Sequence, residues 1–446
     1  MNIVLDHSDA RPLPVQICAS IRSLVVEGLL EPGEKLPSTR ILAEQLGVSR
    51  GTIVTAFDQL IAEGYLVARH GSGTHINPAL TPKPLHPHNH PLPAPPEQPL
   101  NELTPGLPDT RGLVTPEWRA AWRDAAANPT DLFSPLGLEA LRREISHHLR
   151  HMRGFSIDPS RIVVTAGARD GMELFLKTQP SNLTVGVESP GYPSLRQIPT
   201  ALGHTLVDIP TDGDGLTLPT THVDAVIATP SHQYPYGTSM SATRRTELVA
   251  WARDNERWLI EDDFDSELRY LGQPLPALAS LDPEHTILLG TFSSVISPSI
   301  GCGYVVFPAS LMPRVEQIRD IFRCPVSSIT QQALATYLAS GALRRHTGRV
   351  RRSYRRRRDL VTNSFQGIPD VTLLPINGGL HAVLLCRDPE SLRARARRRG
   401  VGLTLLADYW GGAHADEGIV LGFGHLSDSE LEEALGIIAE ELKNTP

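Results

Sequence analysis

The sequence predicts a large α/β domain that follows a smaller domain of helices and a hairpin. Three observations indicate this arrangement. The chain has 446 residues, which is too long for one ordinary domain. A proline-rich stretch separates residues 1–76 from residues 104–446. Short apolar strands alternate with helices along the second part, and this alternation is typical of an α/β sheet.

Composition excludes several classes of protein. Hydrophobic residues make up 40% of the chain and charged residues 20%, as in a globular protein. The chain has no run of about 18 apolar residues that could cross a membrane, and its N-terminus does not resemble a secretory signal. The four cysteines lack the spacing of a zinc site or a disulfide framework, so we expect a cytoplasmic protein with no metal. The net charge of −7 means that nucleic-acid binding would have to come from a local patch.

Residues 1–76 carry the pattern of three helices followed by a hairpin. Apolar residues recur at helical spacing over residues 13–27, and Ser38 and Ser49 are placed to cap two further helices. Only residues 47–48 join the second helix to the third, as a helix-turn-helix requires. Extended runs on either side of the glycine-rich residues 70–73 predict a hairpin. This order is that of a winged helix-turn-helix, a DNA-binding domain.

The third helix of such a domain enters the DNA major groove with its N-terminal residues. Arg50 can form two hydrogen bonds with a guanine or contact a phosphate. Ser38 and Arg40 suit a phosphate at the start of the preceding helix, and Arg69 lies at the wing. The serines also fit a purely capping role. The predicted DNA-contacting residues are Ser38, Arg40, Ser49, Arg50, Thr52, Thr55, Arg69, His70 and Gly71.

Residues 77–103 are predicted to be a linker. Nine prolines fall between Pro78 and Pro99, and such a segment acts as an extended, semi-rigid spacer. His86, His88 and His90 alternate within it. We interpret these histidines as part of a solvated spacer and not as a metal site.

Residues 104–446 contain apolar runs that each end in polar or glycine-rich residues. In an open α/β sheet, ligands bind at the carboxyl ends of the strands. The sequence therefore predicts a ligand site where these runs end. The runs begin at Ile162, Thr184, Ala225, Trp258 and Thr286.

Both parts of the chain resemble known families. The segment PGEKLPSTRILAEQLGVSRGTIVTAFDQLIAEGYL resembles the DNA-binding domain of GntR-type bacterial repressors. The strings VVTAGARDGMEL, VGVESPGYPS, ATPSHQYPYGTSM, LIEDDFDSELRY and GTFSSVISPSIGCGYVV resemble the fold type I aminotransferases that depend on pyridoxal phosphate (PLP). The chain is identified as a member of the MocR-like GntR regulators, which fuse these two domains. The resemblance implies a mixed sheet of the seven-stranded type and a small α+β part at the C-terminus.

The resemblance also assigns cofactor roles to residues of the large domain. Asp262 matches the carboxylate that pairs with the protonated pyridine nitrogen of PLP, and Tyr192 matches the aromatic residue that stacks on its ring. Gly167 and Ala168 match the loop that holds the cofactor phosphate at a helix N-terminus. The implied vestigial cofactor or effector pocket comprises Gly167, Ala168, Arg169, Tyr192, Asp262, Phe264, Ser293 and Ser294.

Four positions depart from the family pattern. Ser294 stands where the family has its Schiff-base lysine, and serine cannot form an imine. An alignment slip does not supply the lysine, because none lies between Lys177 and Lys443. The other departures are Gly301 for the phosphate-binding arginine, Phe264 for the tyrosine at the phenolic oxygen, and Val420 for the arginine that clamps the substrate carboxylate.

We therefore expect a transcriptional regulator and not an enzyme. Its expected partners are a double-stranded DNA operator and a second copy of the chain in a head-to-tail homodimer, in the cytoplasm at the nucleoid. No covalent PLP is expected. Three roles for the large domain stay open: it binds PLP noncovalently with help from Arg169, it binds a different small-molecule effector, or it serves dimerisation alone. The alternative from another class is an aminotransferase with an accessory domain.

Two arginine-rich stretches, residues 343–360 and 393–399, admit two interpretations. They could form a second DNA-contacting surface. They could also form solvated helix faces whose acidic partners lie on the other subunit, and we favour this interpretation for the first stretch.

Overall fold

The computed structural model describes residues 3, 5–6, 9–69, 72–80, 101–130, 134–270, 272, 275–412 and 416–443. The chain divides into two units, Met1–Glu97 and Gln98–Pro446. None of the helices in the described ranges is long and apolar enough to cross a membrane.

The N-terminal unit contains three helices and a hairpin. The helices are α1 (Leu13–Val26), α2 (Thr39–Leu46) and α3 (Arg50–Ala62), and the antiparallel strands are β1 (Leu66–Arg69) and β2 (Gly73–Ile76). Their apolar faces close on one core, in which Ile17, Ile21, Ile53 and Leu60 have no exposed surface. The winged helix-turn-helix predicted from the sequence is confirmed.

The larger unit is organised around a mixed sheet. Seven strands lie side by side in the order β4-β11-β10-β9-β8-β5-β6, and β7 adds a two-residue edge. Among these seven strands only β11 runs antiparallel to its neighbours. The predicted mixed α/β sheet is therefore confirmed. The strands are β4 (Ile162–Thr165), β5 (Thr184–Ser189), β6 (Thr205–Asp212), β7 (Gly215–Leu216), β8 (Ala225–Ala228), β9 (Trp258–Asp263), β10 (Thr286–Thr291) and β11 (Gly303–Val306).

Helices cover both faces of this sheet. One face packs on α6, α7 and α10 through Met172, Leu195 and Val315. Parts of the other face pack on α8 and α9 through Leu248 and Leu278. The helices of the unit are α4 (Pro116–Ala127), α5 (Glu139–Arg153), α6 (Ala168–Thr178), α7 (Pro193–Ala201), α8 (Ala242–Asp254), α9 (Leu278–Leu281), α10 (Met312–Phe322), α11 (Ser328–Ala339), α12 (Ala342–Phe365), α13 (Pro389–Arg398) and α14 (Asp428–Lys443).

A second, smaller sheet lies near the C-terminus. It has four antiparallel strands, β12 (Thr372–Leu373), β13 (His381–Leu385), β16 (Gly418–Gly422) and β15 (Thr404–Leu405), in that order. A short strand β3 (Asn101–Glu102) pairs in parallel with β14 (Val401–Gly402). The predicted linker ended at residue 103, so its last residues belong to the larger unit, because their backbone pairs with β14.

The arginine-rich stretches find acidic partners within the same chain. On α12, Arg357 pairs with Asp428. Arg395 on α13 and Arg399, which directly follows that helix, pair with Glu441. The interpretation favoured for the first stretch, with partners on another subunit, is wrong for Arg357, and the second stretch also has partners within the chain, because α14 packs along both helices.

Arg357 ties the long helix α12 to two other parts of the unit. It is 3% exposed and donates to Asp109 at 2.8 Å, to Asp428 at 2.9 Å and to the carbonyl oxygen of Gly424. Burial raises the pKa of Asp109, but hydrogen bonds from Arg111 and Arg357 outweigh it and lower the pKa from 3.8 to about 2. The buried guanidinium therefore holds ionised carboxylates at neutral pH.

Replacing Arg357 with alanine should lower the free energy of unfolding by about 3 kcal/mol, because it removes the hydrogen bonds that a buried guanidinium donates to Asp109, Asp428 and the Gly424 carbonyl oxygen. Urea unfolding followed by circular dichroism measures this change. Arg352→Ala, at an exposed position of the same helix, should change it by less than about 0.5 kcal/mol. The contribution of Asp109 is present above its ordinary pKa of 3.8 and is lost as the pH falls towards 2. Equal stability of the two variants would contradict this role of Arg357.

Candidate DNA-reading face and ligand pocket

The turn between α2 and α3 is set by local side-chain caps. Ser38 Oγ accepts a hydrogen bond from the Ile41 amide at 3.3 Å, and Ser49 Oγ accepts one from the Thr52 amide at 3.1 Å. Gly47 ends α2 with φ of +65°, a left-handed conformation that glycine adopts without strain. The capping roles expected for both serines are present, and they aim the N-terminus of α3 outward.

The predicted reading residues form an exposed surface at the start of α2 and α3. Arg40, Arg50 and Thr55 are all exposed. Arg50 Nε lies 3.4 Å from Thr39 Oγ1, which leaves the rest of its guanidinium able to bond elsewhere. The hydroxyl of Thr52 lies 2.9 Å from that of Ser49, and Thr55 donates to the Gly51 carbonyl oxygen. Arg50 is therefore a long side chain on this surface whose guanidinium still has free hydrogen-bond donors for a DNA base.

The wing adds further positive charge. Arg69 is exposed at the end of β1. Lys35 forms a backbone bridge with His75, and its side chain packs against Gly73. Lys35 was not among the predicted DNA-contacting residues, because nothing in the local pattern shows that it lies beside the hairpin. His70 and Gly71, like His86, His88 and His90, lie outside the described residues.

In the larger unit, the predicted pocket residues gather at the carboxyl ends of the central strands. Gly167 follows β4 and precedes α6 with φ of +114°. A Cβ on Gly303, at the start of β11, would lie 2.9 Å from the Gly167 Cα. This close approach of two backbones brings the loop at α6 beside the end of β10, where Ser293 and Ser294 follow.

Hydrogen bonds within the chain already use several groups at the loop before α6. Asp170 Oδ2 accepts from the Ala166 amide at 3.1 Å and from Arg319 at 2.8 Å. Arg169 is exposed and donates to Ser194 Oγ at 2.7 Å. The first turn of α6 therefore places a carboxylate against this loop, and its exposed arginine reaches across to the start of α7.

Strand β9 brings three consecutive acidic residues to the site. Arg153 binds two of them, with distances of 2.7 Å to Asp263 and 3.4 Å to Glu261. Asp262, between them, is 3% exposed, and its Oδ1 has no hydrogen-bond partner among the described residues. Burial, together with the surrounding carboxylates, raises the pKa of Asp262 well above its ordinary value. A buried acceptor that lacks a partner indicates a position for a donor from a ligand.

Aromatic rings form one wall beside these strand ends. Tyr192 is 36% exposed, and its ring meets that of Tyr234 edge to face with centroids 5.2 Å apart. Phe264 packs between Tyr234 and His232. Phe264 has no hydroxyl, so it contributes only apolar surface at this position.

Two buried carboxylates beside this wall, Asp265 and Glu188, were not predicted from the sequence as site residues. His232 Nδ1 lies 2.6 Å from Asp265 Oδ2, and both side chains are buried. Glu188 accepts hydrogen bonds from the amide and hydroxyl of Thr229, and burial raises its pKa to about 7. The sequence does contain a signal for Glu188. A carboxylate at the end of an otherwise apolar run is unusual unless another group forms a hydrogen bond or ion pair with it.

The positions that depart from the family pattern carry no replacement cation. Ser294 is 9% exposed, and Ser293 is bonded to the Thr291 hydroxyl at 3.0 Å. Gly301 has φ of +53° with open space around it. Val420 is fully buried in an apolar cluster.

Comparison with known proteins agrees with both domains. The profile of the gntR family of bacterial regulatory proteins matches residues 13–76. The pyridoxine biosynthesis transcriptional regulator PdxR of Corynebacterium glutamicum is 52% identical over 445 residues, which cover 98% of each chain. The probable rhizopine catabolism regulatory protein MocR of Rhizobium meliloti is 28% identical over 97% of this chain and 94% of its own. The chain belongs to the MocR-like GntR regulators.

The larger unit of this MocR-like regulator has an aminotransferase fold. The crystal structure of kynurenine aminotransferase from Pyrococcus horikoshii superimposes with a TM-score of 0.70 and 22% identity. The superposition covers 78% of this chain and 91% of that one. At this identity the likeness shows the fold alone. A DNA-binding transcriptional regulator with an aminotransferase-like domain is thus confirmed.

Arg50→Ala should weaken binding to the specific operator by about 1–3 kcal/mol, because a base contact of two hydrogen bonds is lost. Binding to random DNA should change little. Arg40→Ala is the matched control, because losing a phosphate contact should weaken binding to both DNAs alike. Fluorescence anisotropy with both DNAs measures the difference. An equal loss on both DNAs for Arg50→Ala would remove this residue from base reading.

Proposed function

We propose that this MocR-like regulator is a homodimer that senses a small molecule in its aminotransferase-like domain without catalysing transamination. It acts in the cytoplasm at the nucleoid and controls genes of pyridoxine supply. The observation that carries the proposal is Ser294, a buried serine at the position of the family's reactive lysine. The regulated genes are inferred from the 52% identity with PdxR over nearly the whole chain.

The chain's lysines support a non-enzymatic role. Lys177 lies on α6 in an ion pair with Glu173 at 2.7 Å, and its ammonium lies 4.3 Å from the ring centroid of Phe322. Lys443 is exposed in the last residues of α14. A Schiff base requires a lysine amine that reaches the cofactor carbon, and neither side chain is placed at the strand ends.

The described residues fit the covalent form of PLP poorly. Asp262 suits a protonated ring nitrogen, and Tyr192 suits a flat ring. Ser294 offers no amine, Gly301 offers no guanidinium for a phosphate dianion, and Phe264 offers no hydroxyl. The pocket keeps the groups that orient an aromatic ligand and lacks the group that would react with it.

The charge of the N-terminal DNA-binding domain, the reader domain, supports a dimer. Residues 1–76 contain six Lys and Arg against eight Asp and Glu. Nonspecific DNA binding draws on neutralised phosphates, so a domain of this charge binds one half-site weakly. When two reader domains of one dimer bind the same operator, the overall affinity exceeds that of either domain alone. Ligand binding in the larger unit would change DNA affinity if it favours one placement of the two readers.

Incubation with PLP followed by borohydride should leave the mass of the purified protein unchanged, because no internal imine forms. Intact mass spectrometry measures this. Ser294→Lys supplies the missing amine and should acquire the mass of a reduced pyridoxyl adduct. An adduct on the unmodified protein would contradict the noncatalytic assignment and favour the aminotransferase alternative.

The full chain should elute as a dimer in size-exclusion chromatography with light scattering. It should also protect a segment upstream of pyridoxine biosynthesis genes in a footprint. Dimeric readers should protect two half-sites. Monomeric protein at micromolar concentration, or protection no stronger than on unrelated DNA, would contradict the proposal.

A further inference from the structure

Val54 is an apolar side chain on the exposed surface of α3, the helix that carries Arg50. On this helix Ile53 and Phe57 are buried in the core, whereas Val54 is 37% exposed. A single exposed valine is ordinary on a protein surface and needs no explanation by itself. Val54, however, follows Arg50 by four residues, and side chains at this spacing are neighbours on one face of a helix. Val54 therefore shares a face with the predicted base-reading arginine.

The hydroxyl groups at the start of α3 already have partners within the helix. The hydroxyls of Ser49 and Thr52 lie 2.9 Å apart. The hydroxyl of Thr55 donates to the carbonyl oxygen of Gly51 at 3.0 Å. Because these local hydrogen bonds compete with new ones, the hydroxyls are not ready donors for a base. Besides the reading arginine, this part of the helix therefore offers DNA the apolar side chain of Val54.

Gly51, between the arginine and the valine, leaves room for a close approach of DNA. It is exposed in the first turn of α3, and its backbone is helical. A Cβ added to Gly51 would meet only Ser49 Oγ at 3.7 Å, which is an ordinary contact. Neither the backbone nor the packing requires glycine here, and glycine favours a helix less than alanine does. The missing side chain instead lets a base edge approach the helix closely, which a side chain as short as Val54 needs for contact.

The major groove presents one apolar group that Val54 can contact, the C5-methyl group of thymine. Four residues of helix advance about 6 Å, and successive base pairs lie about 3.4 Å apart. A contact by Val54 therefore falls within about two base pairs of the contact made by Arg50. Asp58 follows one turn later and is exposed, and DNA phosphates repel its carboxylate. The base contacts of α3 thus fall within its first turns.

We propose that Val54 determines part of the operator sequence by packing against the C5-methyl group of a thymine in the major groove. This contact depends neither on the ligand of the larger unit nor on the identity of the regulated genes. It therefore goes beyond the proposed function and can be tested whether or not that function holds. Valine has no hydrogen-bonding side chain, so Val54 was not among the predicted DNA-contacting residues, which were chosen mainly for their polar groups.

Replacing thymine with deoxyuridine tests the contact, because it removes only the methyl group. The full chain first selects its preferred duplex from a randomised DNA library, and each thymine of that duplex is then replaced singly. Fluorescence anisotropy should show about fourfold weaker binding when the contacted thymine is replaced, which is the effect of losing one buried methyl group. Val54→Ala should weaken binding to the thymine duplex and should bind the thymine and deoxyuridine duplexes equally at that position.

Ile61→Ala is the matched control, because Ile61 lies on the same helix and is also 37% exposed, but seven residues farther from its N-terminus. This variant should keep the fourfold preference for thymine, and so should Val54→Ile, which retains the apolar surface. Circular dichroism of each variant checks that it is folded. The assignment is overturned if no thymine replacement weakens binding by the unmodified chain, or if Val54→Ala keeps the preference. Failure to select any preferred duplex would overturn it too, since no base is then read.

Discussion

The central constraint on the larger unit is the row of three consecutive carboxylates that β9 carries into the middle of the sheet. Burying an ionised carboxylate without a partner costs about several kcal/mol, so each of these groups must be paired, hydrogen-bonded or protonated. Arg153, at the end of α5, binds Glu261 and Asp263 and thereby fixes α5 against the strand ends. Asp262 lies on the other face of the strand, away from the residues that Arg153 binds. Its Oδ1 has no hydrogen-bond partner in the described part of the chain. Strand alternation therefore divides the three acids between the two faces of the sheet.

The rest of the site follows from what surrounds that acid. An aminotransferase fold would place a phosphate-binding loop and a reactive lysine near it. Here Asp170 and Arg319 bond to each other at the loop, and Ser294 offers a hydroxyl. In the role that we propose, this fold keeps the groups that would orient an aromatic ring and lacks the groups that would react with it. A regulator gains from this loss, because a ligand that binds reversibly can report its concentration, whereas turnover would consume it.

Sequence reasoning succeeds where the controlling interactions are local. Ser38 and Ser49 were expected as caps, because each acts on residues within four positions of itself. It fails where partners are distant in sequence. Nothing near Lys35 shows that it lies beside the wing, and nothing near Arg357 shows that its acids are in the same chain. The linker boundary was placed too late for the same reason, since β3 is defined by its pairing with β14, about three hundred residues away.

The sequence by itself determined the two domain types and the helix-turn-helix, and it predicted Arg50 as a base-reading residue and Ser294 at the position of the family's reactive lysine. These depend on residue identity and on local spacing, and both can be read along a single chain. Only the tertiary structure decided which charges are neutralised. It paired Arg153 with Glu261 and Asp263 and left Asp262 Oδ1 without a partner among the described residues. It also bonded the Ala166 amide, in the loop before α6, to the Asp170 carboxylate. Electrostatic pairing depends on distances of a few ångströms between residues far apart in the chain, so it exists only once the sheet has formed.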